Sequence, residues 1–135
     1  MERLNLEIIT PERVVVSEEV DMVEAKGALG EFGILPGHVQ FLTTIEIGEI
    51  CYTQGTQSRC LATSGGFAEV VDNKVTFLVD TTEFAEEIDI ERARRALERA
   101  ERELKELSAE EREYRQYELA LIRAITRISA ASKKL

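Results

Sequence analysis

Tryptophan is absent, histidine occurs once, cysteine occurs twice, and no glycine or proline follows Gly66. Each shortage excludes something. With His38 as the lone imidazole, a histidine metal site or a Ser-His-Asp triad has little to assemble from. Cys51 and Cys60 are too few to frame a disulfide-rich secreted scaffold, and they lack the C-x-x-C spacing of zinc and redox motifs. Apolar runs are only a few residues long, far short of the ~20 that a membrane span requires, and the N-terminus has no basic-then-apolar secretory signal. Positive charge is also in deficit: 17 Lys plus Arg stand against 26 Asp plus Glu, a formal charge of −9. That balance argues against nonspecific nucleic-acid binding, which needs clustered cations on phosphates. The expectation is a cytosolic chain, or one peripheral to a membrane, and not an ordinary hydrolase.

What remains is 135 residues, 44% hydrophobic and 32% charged, enough for one small domain or a domain with an appendage. The two ends follow different rules. All eight glycines and both prolines lie between Pro11 and Gly66, whereas after Ile88 the composition turns to Ala, Leu, Glu and Arg. Residues 1–87 carry 5 basic and 16 acidic side chains, and residues 88–135 carry 12 and 10. The acidity therefore belongs to the first part.

Within that part, segments 4–9, 14–16, 22–25, 45–47, 49–53, 58–62, 67–71 and 74–78 alternate or cluster β-branched residues between turn residues, which predicts short strands of a sandwich or barrel. Val71-Asp72-Asn73-Lys74 reads as a tight hairpin, because Asp and Asn tolerate positive φ. A second hairpin centres on Gln54-Gly55-Thr56-Gln57. If it is symmetric, Cys51 and Cys60 face each other and are close enough to bridge as a non-hydrogen-bonded pair. For a cytosolic chain the expectation is nevertheless two reduced thiols packed as small apolar groups.

From Ile90 onward, Ile90, Ala93, Leu97, Ala100, Leu104 and Leu107 step by three and four, an apolar stripe on a helix with Asp89 as its N-cap. Glu91/Arg95, Glu98/Arg102 and Glu101/Lys105 are spaced as i,i+4 ion pairs. Ser108-Ala109-Glu110-Glu111 has the form of a capping box that ends this helix and starts another. The second stripe runs through Tyr114, Tyr117, Leu121, Ala124 or Ile125, and Ile128, with Lys133 and Lys134 suited to its C-terminus. Two helices joined so tightly fold back as an antiparallel hairpin. At about 45 residues the hairpin is too small to hold a core alone, so it leans on the sandwich, a partner or a ligand.

Four stretches then occur in a familiar order: Gly30-Glu31-Phe32-Gly33-Ile34-Leu35-Pro36-Gly37-His38, Ser64-Gly65-Gly66-Phe67-Ala68-Glu69-Val70, Ile88-Asp89-Ile90-Glu91-Arg92-Ala93, and Ala120-Leu121-Ile122-Arg123-Ala124-Ile125-Thr126-Arg127. With them the chain resembles, over its whole length, the epsilon subunits of bacterial F-type ATP synthases. The resemblance implies an all-β N-terminal sandwich of about ten strands, residues 1–87, that binds the gamma subunit and the membrane c-ring. It implies a regulatory two-helix hairpin, residues 88–135, that moves between compact and extended forms and, extended, reaches the catalytic alpha and beta subunits and inhibits ATP hydrolysis. Such a subunit is noncatalytic, needs no cofactor, touches the membrane only through the complex, and sits on the cytoplasmic side of the cell inner membrane. The competing expectation is a free-standing nucleotide-sensing module; an enzyme would need a catalytic constellation that the sequence does not offer.

Residue by residue, the resemblance implies subunit contacts at Glu31 and His38. Read alone, the glycine-rich stretch 27–38 is no phosphate loop, since it lacks the Gly-Lys-Ser/Thr ending, and turns built on Gly and Pro36 explain it. Gly65-Gly66 reads as a structural pair that lets backbones approach closely. In relatives that bind ATP, the Ile/Leu-Asp-x-x-Arg-Ala motif opens the first helix; Ile88, Asp89, Arg92 and Ala93 match it, and Glu83, Arg99, Arg123 and Arg127 fall at the other polar ligand positions. Independently, Arg92 with Arg99 and Arg123 with Arg127 each share a helix face, and clustered guanidiniums suit a triphosphate. The plainer alternative is that Asp89 only caps and the arginines pair with helix glutamates.

Overall fold

The computed structural model describes residues 2–133; Lys134, expected beside Lys133 at the helix end, lies outside the described residues. Ten strands come first: β1 (Leu4–Ile9), β2 (Val14–Val20), β3 (Met22–Gly27), β4 (Gly30–Ile34), β5 (Phe41–Ile45), β6 (Gly48–Gln54), β7 (Gln57–Thr63), β8 (Gly66–Val71), β9 (Lys74–Val79) and β10 (Thr82–Phe84). A single 3-10 turn at Ala85–Glu87 leads to α1 (Ile90–Glu106) and α2 (Arg112–Ala131). The strands pair in the order β10-β7-β6-β3-β5-β8-β9-β1-β2, with β4 beside β3. The sheet bends at β3, where Met22 to Glu24 pair with β6 and Gly27 alone meets Ile45 of β5, so the ribbon folds over itself as a sandwich. Among the described strands only β1 and β9 pair in parallel.

Period-two alternation decides which side of each strand is inside. Leu4, Leu6 and Ile8 of β1 line up beside Val75 and Phe77 of β9 and Val70 of β8, and join Ile50, Tyr52 and Leu61 of β6 and β7 in one buried cluster. Every member of that cluster lies between residues 4 and 84. The Tyr52 hydroxyl is buried with no hydrogen-bond partner, and burial first, then the Glu18 carboxylate, raises its pKa.

Turn chemistry matches the two expected hairpins. Asp72 and Asn73 adopt φ of 47° and 63°, and Gly55 adopts 61°, the positive values that close two-residue turns along a twisted strand pair. The glycine-rich stretch is divided: Gly30 and Gly37 supply positive φ in turns, whereas Gly27 and Gly33 lie inside β3 and β4. The segment expected at 45–47 is displaced, because the strand there is β5 and ends at Ile45. β4 and β10 were not expected from alternation.

The helices also depart locally from expectation. Asp89 caps α1 as expected, its Oδ1 accepting from the Arg92 amide at 3.0 Å. Glu91, however, pairs with Arg94, one turn position earlier than Arg95. Ser108 to Glu111 close a turn of their own, with the Glu111 amide donating to the Ser108 carbonyl at 3.1 Å. Although the Glu111 carboxylate reaches back to the Ser108 amide at 3.4 Å, α2 starts only at Arg112 with Glu111 as N-cap. On the second stripe Ala124 is the buried choice and Ile125 is 51% exposed. No described helix is long and apolar enough to cross a membrane.

Candidate functional site

The helical hairpin meets the sandwich through α2, which lies on β6 and β7, while α1 packs on α2. The outward positions of the two strands form the floor: Glu49 stands opposite Ala62 and Cys51 opposite Cys60. Ala62 packs with Ala130, Ala131 and Ile88, with Ile90 alongside. Alanines bury little area, so this apolar contact is worth only a few kcal/mol at about 25 cal/mol per Å². Polar clasps add to it. Ser129 Oγ and Lys133 Nζ donate to Glu49 Oε2 at 3.1 and 3.0 Å. Arg127 Nε donates to Glu83 Oε1 in a half-buried ion pair.

Beside that second clasp is a cleft of about 240 Å³ lined by Ala62, Thr63, Ser64, Thr81, Thr82, Glu83, Arg123 and Arg127, among others. With Thr126 of α2, its walls offer five hydroxyls, two guanidiniums and one carboxylate between the edge strand β10 and α2. Ser64 ties one wall together by accepting from the Thr81 amide at 2.8 Å. Three of the six residues expected to hold ATP, Glu83, Arg123 and Arg127, are thus gathered in one place. Asp89 stands apart as the helix cap. Arg92 and Arg99 are exposed on α1 and do not line the cleft.

Glu31 and His38 are set apart as well. Glu31 sits near the start of β4 opposite Lys26, whereas His38 lies in the loop beyond its end, with Nδ1 2.8 Å from the Val39 carbonyl and its ring 5.0 Å from Phe41. That loop is fixed by the Gly37 amide, which donates to Asn73 Oδ1 at 2.7 Å. Exposed apolar side chains flank both positions: Leu29 near Glu31, and Leu35 and Val39 around His38.

Two features escaped sequence reasoning. Glu49, the anchor of α2, is one outward residue on an alternating strand, and nothing local ties it to positions 80 and 84 residues away. The expectation of reduced cysteines is overturned: Cys51 and Cys60 are disulfide-bonded, their Cα atoms 4.1 Å apart. The symmetric hairpin places them directly opposite each other as a close cross-strand pair, which brings both sulfurs together on one face.

Comparison with known proteins covers both parts. Residues 3–85 match the family model described as ATP synthase, Delta/Epsilon chain, beta-sandwich domain, and residues 86–132 match its long alpha-helix domain. The ATP synthase epsilon chains of Geobacter metallireducens and Geobacter sulfurreducens are each 52% identical over 132 residues, covering 98% of this chain and 96% of each relative. Among solved structures, a chain of the Euglena gracilis mitochondrial ATP synthase OSCP/F1/c-ring assembly superposes with a TM-score of 0.83 at 27% identity, covering 95% of this chain and 81% of that one. A chain of the Tetrahymena thermophila mitochondrial central stalk and c-ring, 13% identical with a TM-score of 0.55, shares the fold.

Proposed function

The chain belongs to the ATP synthase delta/epsilon family, whose members are noncatalytic subunits of the F-type enzyme, and on that premise we propose that it is a rotor subunit whose hairpin senses ATP and restrains hydrolysis. In this reading the sandwich joins the gamma subunit to the c-ring on the cytoplasmic face of the inner membrane. Glu31 and His38, flanked by exposed Leu29, Leu35 and Val39, contribute to those contacts, since apolar groups left bare on a small domain mark partner surfaces. The docked hairpin is the compact, permissive state. Undocked and extended, its helices reach between gamma and the catalytic alpha and beta subunits.

The observation that carries the ATP reading is the gathering of Glu83, Arg123 and Arg127 around one hydroxyl-lined cleft at the docking seam. A triphosphate offers enough anionic oxygens to engage several guanidiniums at once, whereas the single Glu83 carboxylate engages only Arg127. Bound there, it would draw on Arg123 and Arg127 from α2 and recruit the exposed Arg92 and Arg99 of α1, holding the hairpin closed. Asp89 takes part by keeping the first turn of α1 capped. ATP acts as a regulatory ligand and no cofactor is required.

The test is an NMR titration of the isolated chain with millimolar ATP. Resonances of Arg123, Arg127 and the start of α1 should shift together. Arg123→Ala and Arg127→Ala should each weaken binding roughly ten- to hundredfold, as expected for a lost charged hydrogen bond of ~1.5 to 3 kcal/mol. Helix resonances unmoved by ATP would defeat the sensing role.

A further inference from the structure

Under the last turns of α2 lies a cluster that joins its Glu49 anchor to two cysteines that the rotor role does not use. Glu49, Cys51 and Cys60 share the outer face of the β6–β7 hairpin, and their ligand atoms all lie within 4.8 Å of one another. Glu49 Oε2 is taken by Ser129 and Lys133. Its other oxygen, Oε1, is buried and has no hydrogen-bond partner, a costly arrangement for a carboxylate unless a cation or donor completes it. We propose that, when the Cys51–Cys60 disulfide is reduced, Glu49 Oε1 and the two thiolates form a binding site for a zinc-type divalent cation beneath α2.

The chemistry balances in two steps. A dithiol reductant gives two electrons and two protons to the disulfide, breaking its sulfur–sulfur bond and becoming a disulfide itself. The cation then displaces the two thiol protons to solvent and gains two metal–sulfur bonds and one metal–oxygen bond, with water in the fourth position. With bonds of about 2.0 to 2.3 Å, ligands around one tetrahedral zinc stand on the order of 3.3 to 3.8 Å apart. Side-chain rotation on a fixed hairpin covers the difference from the observed spread. Charge also closes: two thiolates and a carboxylate carry −3, the cation brings +2, and Lys133, 3.0 Å from Glu49, supplies the remaining +1. Two thiolates favour a borderline or soft metal over magnesium or calcium.

The experiment uses the full chain, reduced with a phosphine and titrated without oxygen with cobalt(II), whose tetrahedral thiolate complexes absorb strongly. The expected result is one cobalt per chain with a thiolate-to-metal charge-transfer band, displaced by zinc. The disulfide form of the same chain should show no band, a control that needs no substitution. Cys51→Ser should lose the band, and Glu49→Gln should weaken binding by about tenfold or more. Absence of the band in the reduced chain, or a band of equal affinity in the oxidised chain or in Cys51→Ser, would overturn the site. A Glu49→Gln chain that binds as tightly as the unaltered one would overturn the three-ligand assignment.

Discussion

Gly66 is constrained from outside its own backbone. A Cβ built there would collide with the Leu78 carbonyl and come within 2.8 Å of the Val79 Cα, so β8 and β9 could not keep their register. Because backbone cannot yield as a flexible side chain does, Gly66→Ala should cost at least about 2 kcal/mol, read as a lowered urea midpoint; an unchanged midpoint would mean that the strands separate easily. Asp21 acts through charge. Its carboxylate accepts from the Gly55 amide at 2.6 Å and pairs with Arg3 at 3.1 Å, and the Gly55 hydrogen bond first, opposed by desolvation and aided by Arg3, lowers its pKa. A lowered folded-state pKa gives stability that is complete above the ordinary carboxylate range and is lost as pH falls through the folded value. The gap in urea midpoint between the unaltered chain and Asp21→Asn should therefore hold from pH 7 to 5 and narrow below about pH 4; a gap that widens on acidification would reverse the sign. Residues whose roles are local were legible in the sequence: Asp72 and Asn73 announce their turn, and Asp89 its cap, because the partner group lies within three residues. Glu49 was not, since its meaning depends on a helix that arrives 80 residues later.

Among elements, legibility followed length and pattern. Six- and seven-residue strands with clean alternation declare themselves, whereas β4 holds two glycines in five residues and β10 spans only Thr82–Phe84; each is a strand because a neighbour offers its free edge, information that no short window contains. The hairpin's stripes were equally plain, yet its stability is modest: in α1 only Ala93 and Ala100 are fully buried, and Leu97, Leu104 and Leu107 remain partly exposed. The candidate nucleotide residues could be picked out, but only the fold decides that Arg127 meets Glu83 and Arg123 lines the same cleft while Arg92 and Arg99 remain on the outer helix. A seam of alanines with two polar clasps suits an element that must release. Glu49→Ala together with Glu83→Ala should loosen α2 by roughly 1 kcal/mol per clasp. Amide hydrogen exchange should then quicken across the C-terminal half of α2 and leave β1, β8 and β9 unchanged. Equal loss of protection in helices and strands would mean that the hairpin and sandwich unfold as one unit.

For the whole molecule, charge and core divide along the chain in the same way. The sandwich carries the acidic excess and keeps its buried cluster within residues 4–84, so it does not need the helices to bury its interior. The hairpin carries a slight positive excess and leaves apolar side chains half-covered, features suited to leaving one acidic surface for another. A ligand can shift such an equilibrium only by binding one state better than the other, which is the part assigned to ATP at the docking seam. The central claim is that restraint of hydrolysis resides in the hairpin and attachment to the rotor in the sandwich. It is tested most directly by measuring the ATPase rate at low ATP of catalytic complexes that hold the gamma subunit and either the full chain or residues 1–87, with gamma binding measured in parallel. The short form should fold, bind gamma as the full chain does, and leave hydrolysis unrestrained; a short form that fails to bind gamma, or that inhibits as strongly as the full chain, would contradict that division.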